Sequence, residues 1–405
     1  MDLQWLLHRA VAEIITEEEL LAKLQGGRPL RLKLGFDPSK PNLHVGHAVV
    51  LRKMRQFQDL GHQVILIVGD WTAQIGDPSG RDESRVMLTL EEVHANAETY
   101  MQQFFMIVDK SRTEVRWQTE WFSKFTLADV FRLSSRFTLA DMLEHETFDK
   151  RLQEGRPISI MELMYPLLQG YDSVAIQADV EFGGTDQKFN IIAGRRLQER
   201  LGQRPQNVFL CPLLAGLDGR KMSKSFMNTI DFVDPPAEMY GRVMAISDDM
   251  LIDYFINVTD VPDAEIAEMQ AAMAAGAVNP RDLKMRLARE IVTMFHGGEA
   301  AREAEAEFVC VFRQRKLPSE MATFALAAPM RLVDLLVAAK LAASKAAAKR
   351  LIAQGGVEVD GQRVSDGAFT VPVQDGLVIQ VGKRRFVKVV AGSGRKGTQM
   401  NTDQR

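Results

Sequence analysis

Cysteine is scarce in this 405-residue chain: only Cys211 and Cys310 are present, far apart. That excludes a disulfide framework and a Cys-rich zinc site, and it makes a reducing cytoplasm the expected compartment. Long apolar runs are missing too. No stretch of eighteen or more apolar residues occurs, so no membrane-spanning helix is expected. The first twenty residues lack the basic-then-apolar layout of a secretory leader. An excess of one charge sign is also absent: 50 Lys and Arg face 53 Asp and Glu, for a net charge of -3. Nucleic-acid binding must therefore come from local basic patches. What is present, 46% hydrophobic and 25% charged residues, is the composition of a soluble globular protein of two or three domains.

The first twenty residues read as an amphipathic helix, with a capping box at Thr16–Glu19 ahead of Leu20, Leu21 and Leu24. Beyond Gly26, Gly27 and Pro29, RLKLGF reads as a strand and DPSKPNL as a turn-rich loop. His44 to Leu60 has helical periodicity closed by Gly61, and QVILIVGD is a fully apolar strand. Strand, helix and strand make a βαβ unit, so the expected fold is α/β with a parallel sheet. Residues from about 80 to 180 read as a mostly helical insertion. DVEFGGTDQ and NVFLCPLL look like further strand ends, and 226–325 as helical. The segment 330–390 is small and basic, with ten Lys or Arg against five Asp or Glu. Residues 391–405 have no apolar pattern and read as a flexible tail.

Five clusters carry chemistry. LHVGH, at the start of the first long helix, sets His44 and His47 on one helix face, with Gly46 leaving room for a base or ribose. A helix start also attracts phosphate. Read alone, the pair is equally a helix-cap or incidental metal pair. GRKMSKS brackets a serine with Lys221 and Lys224 on a glycine-led loop that can close over a triphosphate, or simply be a solvated basic loop. GGTDQ offers Gly184, a ribose acceptor in Asp186, and Gln187; its bland reading is a capped strand-to-helix turn. Tyr165, Gln169 and Asp172, spaced by four and three, form a polar triad on an apolar helix face, which needs partners if buried. TAQIGDPSGR brings Thr72 and Asp77 after a buried strand, where a carboxylate can hold a cation or merely make an Asp-Pro turn.

Taken in order, HxGH, GDPSG, YxxxQxxD, GGTDQ and KMSKS resemble the class I aminoacyl-tRNA synthetases, and within them the bacterial tyrosyl enzymes, from about residue 28 to 390. The resemblance implies a Rossmann-type catalytic domain over 1–225 with a dimer-forming insertion at about 80–180, an α-helical domain over 226–325, and a small C-terminal α+β RNA-binding module of the ribosomal S-four type over 330–390. It implies ATP with Mg2+, L-tyrosine and tRNA(Tyr) as partners, no tightly bound cofactor, and a homodimer. Residue by residue, it carries phosphate stabilisation to His44, His47, Lys221 and Lys224. ATP contacts go to Asp37, Ser39, Gly46, Gly184, Asp186 and Ser225, with further pyrophosphate contacts at Arg81 and Arg85. The amino acid falls to Thr72, Asp77, Tyr165, Gln169 and Gln187, and its phenolic hydroxyl to Asp172. For tRNA the candidates are Lys345, Lys349, Arg350, Lys383, Arg384 and Arg385.

One departure stands out. Many members read YCGFDPT, where the Tyr contacts the substrate hydroxyl; this chain reads KLGFDPS, as a bacterial subgroup does, and puts Lys33 there. Lys33 either approaches the substrate or is a strand residue pointing elsewhere. Three other readings share some of the motifs. They are a tryptophanyl-tRNA synthetase, a small-molecule adenylate-forming enzyme, and a non-catalytic RNA-binding protein on the same fold. The Tyr165 triad, the basic module and the intact His and Lys motifs argue against each in turn.

Overall fold

Inner strands buried on both faces form the centre of the first sheet. A computed structural model describes residues 2–38, 42–79, 89–222, 226–313, 321–382 and 385–391. The chain divides into two units, Met1–Ala301 and Arg302–Arg405. In the first, β1 (Glu13–Ile15), β2 (Arg31–Phe36), β3 (Gln63–Val68), β4 (Thr113–Trp117), β5 (Val180–Gly184) and β6 (Asn207–Cys211) pair in the order β1-β6-β5-β2-β3-β4. All neighbours are parallel except β1 with β6. Val64 to Val68 of β3 are fully buried, as an apolar strand covered by helices on both faces should be.

The N-terminus corrects the expectation of one helix. It is α1 (Leu3–His8), then β1, then α2 (Glu17–Gln25). Ala10 takes a positive φ of 53° that interrupts the helix. The β-branched Val11, Ile14, Ile15 and Thr16 then favour extended backbone, with Ile15 opposite Val208 of β6. Thr16 caps α2 in position, yet its side chain makes no capping bond; Glu19 pairs with Arg195 at 2.9 Å instead of closing a capping box.

Helix α3 (Val45–Asp59) joins β2 to β3 and ends before Gly61, whose φ of 93° stops it. Next come α4 (Thr72–Ile75), α5 (Leu90–Phe104), α6 (Thr119–Phe122), α7 (Leu127–Ser134), α8 (Leu139–Leu143), α9 (Glu146–Gln153) and α10 (Ile160–Ala175). The stretch 80–180 is thus not simply a helical insertion, because β4 lies inside it, in register with β3 from Val64↔Thr113 to Val68↔Trp117. Its half-buried, charge-bearing TEVRW sequence suits a sheet edge. Helix α10 packs on α11 (Lys188–Arg200) at its closest point through Gly170 and Gly194. The unit continues as α12 (Pro236–Val243), α13 (Leu251–Val258), α14 (Asp263–Ala274) and the first part of α15 (Pro280–Arg313), which is kinked at Gly297 and runs on past the division at Ala301. The buried guanidinium of Arg9 donates to the carbonyls of Phe255, Ile256, Thr259 and Val261 and to Asp263, binding the N-terminus to the end of α13 and the turn into α14.

The second unit holds β7 (Ala322–Leu326), β8 (Met330–Arg331), α16 (Leu332–Ala338), α17 (Lys345–Ala353), β9 (Val357–Val359), β10 (Gln362–Arg363), β11 (Thr370–Val371), β12 (Val378–Val381) and β13 (Arg385–Ala391). Five strands run in the order β10-β9-β12-β13-β7, and Leu335, Leu336, Ile352, Val357, Ile379 and Val389 form the core. Residues 322–325, read as helical from sequence, are strand: Phe324 pairs with Val389 in a parallel ladder. The expected tail lies outside the described residues except for Ala391. No helix among the described residues is long and apolar enough to cross a membrane.

Candidate active site

Chain connections leave β2 in opposite directions, to β3 and β4 on one side and to β5 and β6 on the other. Open α/β sheets bind ligands where such a reversal splits the strand ends. A cleft of about 340 Å³ lies there, walled by the C-terminal ends of β2, β3, β5 and β6 and by α3 and α10. Asp37, His44, Gly46, His47, Thr72, Asp77, Tyr165, Gln169, Asp172, Gly184, Asp186, Gln187 and Lys221 all line it. Ser39, Arg81, Arg85, Lys224 and Ser225 lie outside the described residues, as do Lys383 and Arg384.

Hydrogen bonding divides the lining into two groups. In the first, α10 presents Tyr165, Gln169 and Asp172 on one face, as their spacing requires. Tyr165 donates its hydroxyl to Asp37 Oδ2 at 2.9 Å, and Thr72 donates to Asp37 Oδ1 at 2.7 Å. Asp37, grouped above with the ATP contacts, is thus hydrogen-bonded to two of the residues expected for the amino acid. Burial and the neighbouring Asp37 carboxylate push the Tyr165 phenol well above its ordinary pKa, so it is a neutral donor. Gln187 donates to Asp77 Oδ2 at 2.6 Å, and the Ser79 amide caps Oδ1 at 2.8 Å. The Asp-Pro turn and the cleft position thus coexist at Asp77.

Asp172 is 1% exposed. Its Oδ2 accepts from Gln118 Nε2 at 2.8 Å and its Oδ1 from Trp121 Nε1 at 3.1 Å. Burial raises its pKa to about 7; the charge of Lys33 and these two hydrogen bonds oppose that rise. Gln118 is held by its own oxygen, which accepts the backbone amides of Trp71 and Thr72 at 3.1 and 3.0 Å. Sequence reasoning missed Gln118 and Trp121. The available signal was position: Gln118 directly follows β4 at the C-terminal edge of the sheet, where the cleft of such a fold opens.

The second group surrounds the start of α3. The rings of His44 and His47 lie with centroids 4.0 Å apart and planes tilted by 48°, and the His44 amide donates to His47 Nδ1 at 3.2 Å. A Cβ on Gly46 would lie 3.0 Å from His44 Nδ1, so glycine keeps that ring in place as well as leaving space. Val45 N–H to Ile230 O (2.8 Å) and Phe232 N–H to Leu43 O (3.0 Å) tie this loop to the chain that follows Lys221. Lys221 Nζ sits 2.7 Å from Asp186 Oδ2 across the cleft.

Lys33 takes the second of its two expected courses. It does not line the cleft but lies fully buried below it, paired with Glu181 of β5 at 2.9 Å. In the other unit Lys345, Lys349 and Arg350 are exposed on α17, with Lys345 paired to Asp334 at 2.7 Å. Arg385 is exposed but donates to the Leu341 carbonyl at 2.6 Å.

Residues 25–313 match the family described as tRNA synthetases class I (W and Y), and residues 330–377 match the S4 domain. The tyrosine–tRNA ligase of Dehalococcoides mccartyi is 53% identical over 388 residues, covering 95% of this chain and 98% of that protein. That of Thermotoga maritima is 52% identical over 392 residues, covering 96% and 98%. The solved tyrosyl-tRNA synthetase of Archaeoglobus fulgidus, complexed with L-tyrosine, shares the fold, with a TM-score of 0.60 at 24% identity over 75% of this chain and 100% of that one.

Proposed function

This chain belongs to the class I tRNA synthetases of the tryptophan and tyrosine group, and from that premise we propose how its cleft carries out the reaction of the tyrosine branch. The reaction is ATP-dependent attachment of L-tyrosine to tRNA in two steps. A carboxylate oxygen of tyrosine attacks the α-phosphorus of ATP, the bond to the bridging oxygen breaks, and pyrophosphate leaves. A ribose hydroxyl of the terminal adenosine of tRNA then attacks the acyl carbon and AMP leaves. No protein nucleophile is needed, so the chain's contribution is positioning and charge stabilisation.

The observation that carries the tyrosine reading is Asp172, a buried carboxylate facing the cleft with an accepting lone pair left on each oxygen. A phenolic hydroxyl suits it; the bare ring of phenylalanine leaves it desolvated and short of a partner. Asp37, Asp77, Tyr165 and Gln169 surround the amino group, with Thr72 and Gln187 holding the two aspartates. His44 and His47 donate to the phosphates. Lys221 exchanges Asp186 for the pyrophosphate, which frees Asp186 for the ribose, and Lys224, Ser225, Ser39, Arg81 and Arg85 complete the phosphate contacts. Gly46 and Gly184 make room for the nucleotide. Mg2+ accompanies ATP through the phosphate oxygens, keeping much of its own water.

Lys345, Lys349, Arg350, Lys383, Arg384 and Arg385 contact tRNA phosphates. Homodimerisation is supported by the exposed apolar side chains of the segment between β4 and β5: Leu127, Phe131, Leu139 and Ile160 are 63 to 81% exposed. Charging of tRNA with each labelled amino acid in turn tests the function. Incorporation of tyrosine alone is expected; charging with tryptophan would assign the chain to the other branch of its family.

A further inference from the structure

Beneath the amino-acid end of the cleft lies a network in which two charged residues, Lys33 and Glu181, have no part in the proposed reaction. The side chains of Lys33 on β2 and Glu181 on β5 are 0% and 1% exposed, with Nζ 2.9 Å from Oε1. The other two ammonium hydrogens go to the Gln169 carbonyl and the Ser173 hydroxyl oxygen, both at 2.8 Å. Glu181 accepts from four donors. Lys33 and Gln169 Nε2 (3.1 Å) share Oε1, while Ser173 Oγ (3.0 Å) and Gln206 Nε2 (2.5 Å) share Oε2. A buried ion pair is weak evidence for stability. What this one does supply is direction.

A side-chain amide can sit either way round, nitrogen or oxygen foremost. An ionised carboxylate only accepts. Glu181 therefore compels Gln169 to turn its NH2 inward, which leaves Oε1 for the cleft that Gln169 lines. We infer that Lys33 and Glu181 are a positioning pair that holds the Gln169 carbonyl oxygen toward the amino group of the substrate and so sets part of the affinity for it. This rests on the reading of the cleft as a tyrosine site. Lys33 touches no substrate; it is the cation of the pair and shares Oε1 with the Gln169 amide. A group at 181 that donates as well as accepts would serve either orientation of the amide, and an NH2 turned to the cleft repels an ammonium.

The test is equilibrium binding of tyrosine and of its analogue without the amino group, 3-(4-hydroxyphenyl)propionate, to the full chain. Wild type is compared with Lys33→Met and with Lys33→Met/Glu181→Gln. The double variant removes both charges, so no unpaired ion is buried, yet the new amide still offers both donor and acceptor and dictates no direction. In the double variant the preference for tyrosine over the analogue should fall by about tenfold, the loss of one charge-assisted hydrogen bond, while analogue binding stays unchanged; Lys33→Met alone also removes the charge that opposes the raised pKa of Asp172 and so weakens both ligands. Equal weakening of both ligands in the double variant would mean a merely structural pair and overturn the inference. So would a wild-type preference in the double variant, or failure of that variant to fold. Wild-type protein that binds no tyrosine would instead contradict the reading of the cleft itself.

Discussion

Asp172 combines two properties that seldom coexist, complete burial and a position in a ligand cleft. Burial has lifted its pKa from an ordinary 3.8 to about 7, and the charge of Lys33 and the donors Gln118 and Trp121 hold it from rising further. The sign of the consequence for stability is fixed by linkage. The folded-state pKa lies above the unfolded one, so the contribution is fully present below pH 3.8 and lost as pH rises through about 7. Binding runs the other way, because the ionised form is the stronger acceptor for a phenol. The KM for tyrosine should therefore rise as pH falls through about 7. The KM for ATP is measured in parallel, and a limb in the ATP value alone would point away from Asp172.

Residue identity alone could not have given this arrangement. The triad's shared face was legible because helical spacing is local. The direction of Lys33 was not, since both faces of β2 are buried and period-two alternation then carries no inside or outside. Gln118 and Trp121 reach Asp172 from 54 and 51 residues away. Nothing in a local pattern announces that contact, although a polar residue at the end of a sheet strand was a usable hint.

At the scale of elements, the site depends on how closely α10 approaches α11. A Cβ on Gly170 would lie 3.1 Å from Gly194 Cα and 3.2 Å from its nitrogen. Both are backbone atoms, so the helices must separate to accept it. Gln169 and Asp172 flank that contact on α10. Gly170→Ala should cost roughly 1–3 kcal/mol of stability, as overpacking does, and should raise the KM for tyrosine. Urea unfolding and exchange kinetics on one preparation check it; full stability with unchanged KM would show that the helix spacing does not set the site. The two strands of the first sheet misread from sequence, β1 and β4, share a physical reason. Both lie at sheet edges, are short and carry charge, so the buried apolar run that marks β3 is missing from them.

Across the whole molecule, chemistry and RNA binding are assigned to different units. The described residues that line the cleft belong to the first unit, and the basic residues of α17 to the second. Lys349→Glu combined with Arg350→Glu should raise the KM for tRNA and flatten its dependence on salt by about one to two units of log–log slope, while tyrosine-dependent ATP–pyrophosphate exchange is untouched. Loss of exchange in that variant would contradict the division of labour. The domain order and the cleft motifs were legible because each motif is contiguous. The extent of the module was less so: β7 joins its sheet only through pairing with β13, more than sixty residues on.

The central claim, that a buried carboxylate reads the substrate hydroxyl, is tested most directly by ATP–pyrophosphate exchange with tyrosine and with phenylalanine, without tRNA, in wild type and Asp172→Asn. Wild type should discriminate strongly by kcat/KM. The variant, which keeps the shape but trades an acceptor for a donor, should lose about tenfold or more of that ratio with its KM for ATP unchanged. An intact tyrosine preference in a folded Asp172→Asn protein would contradict the account and remove Asp172 from recognition of the hydroxyl.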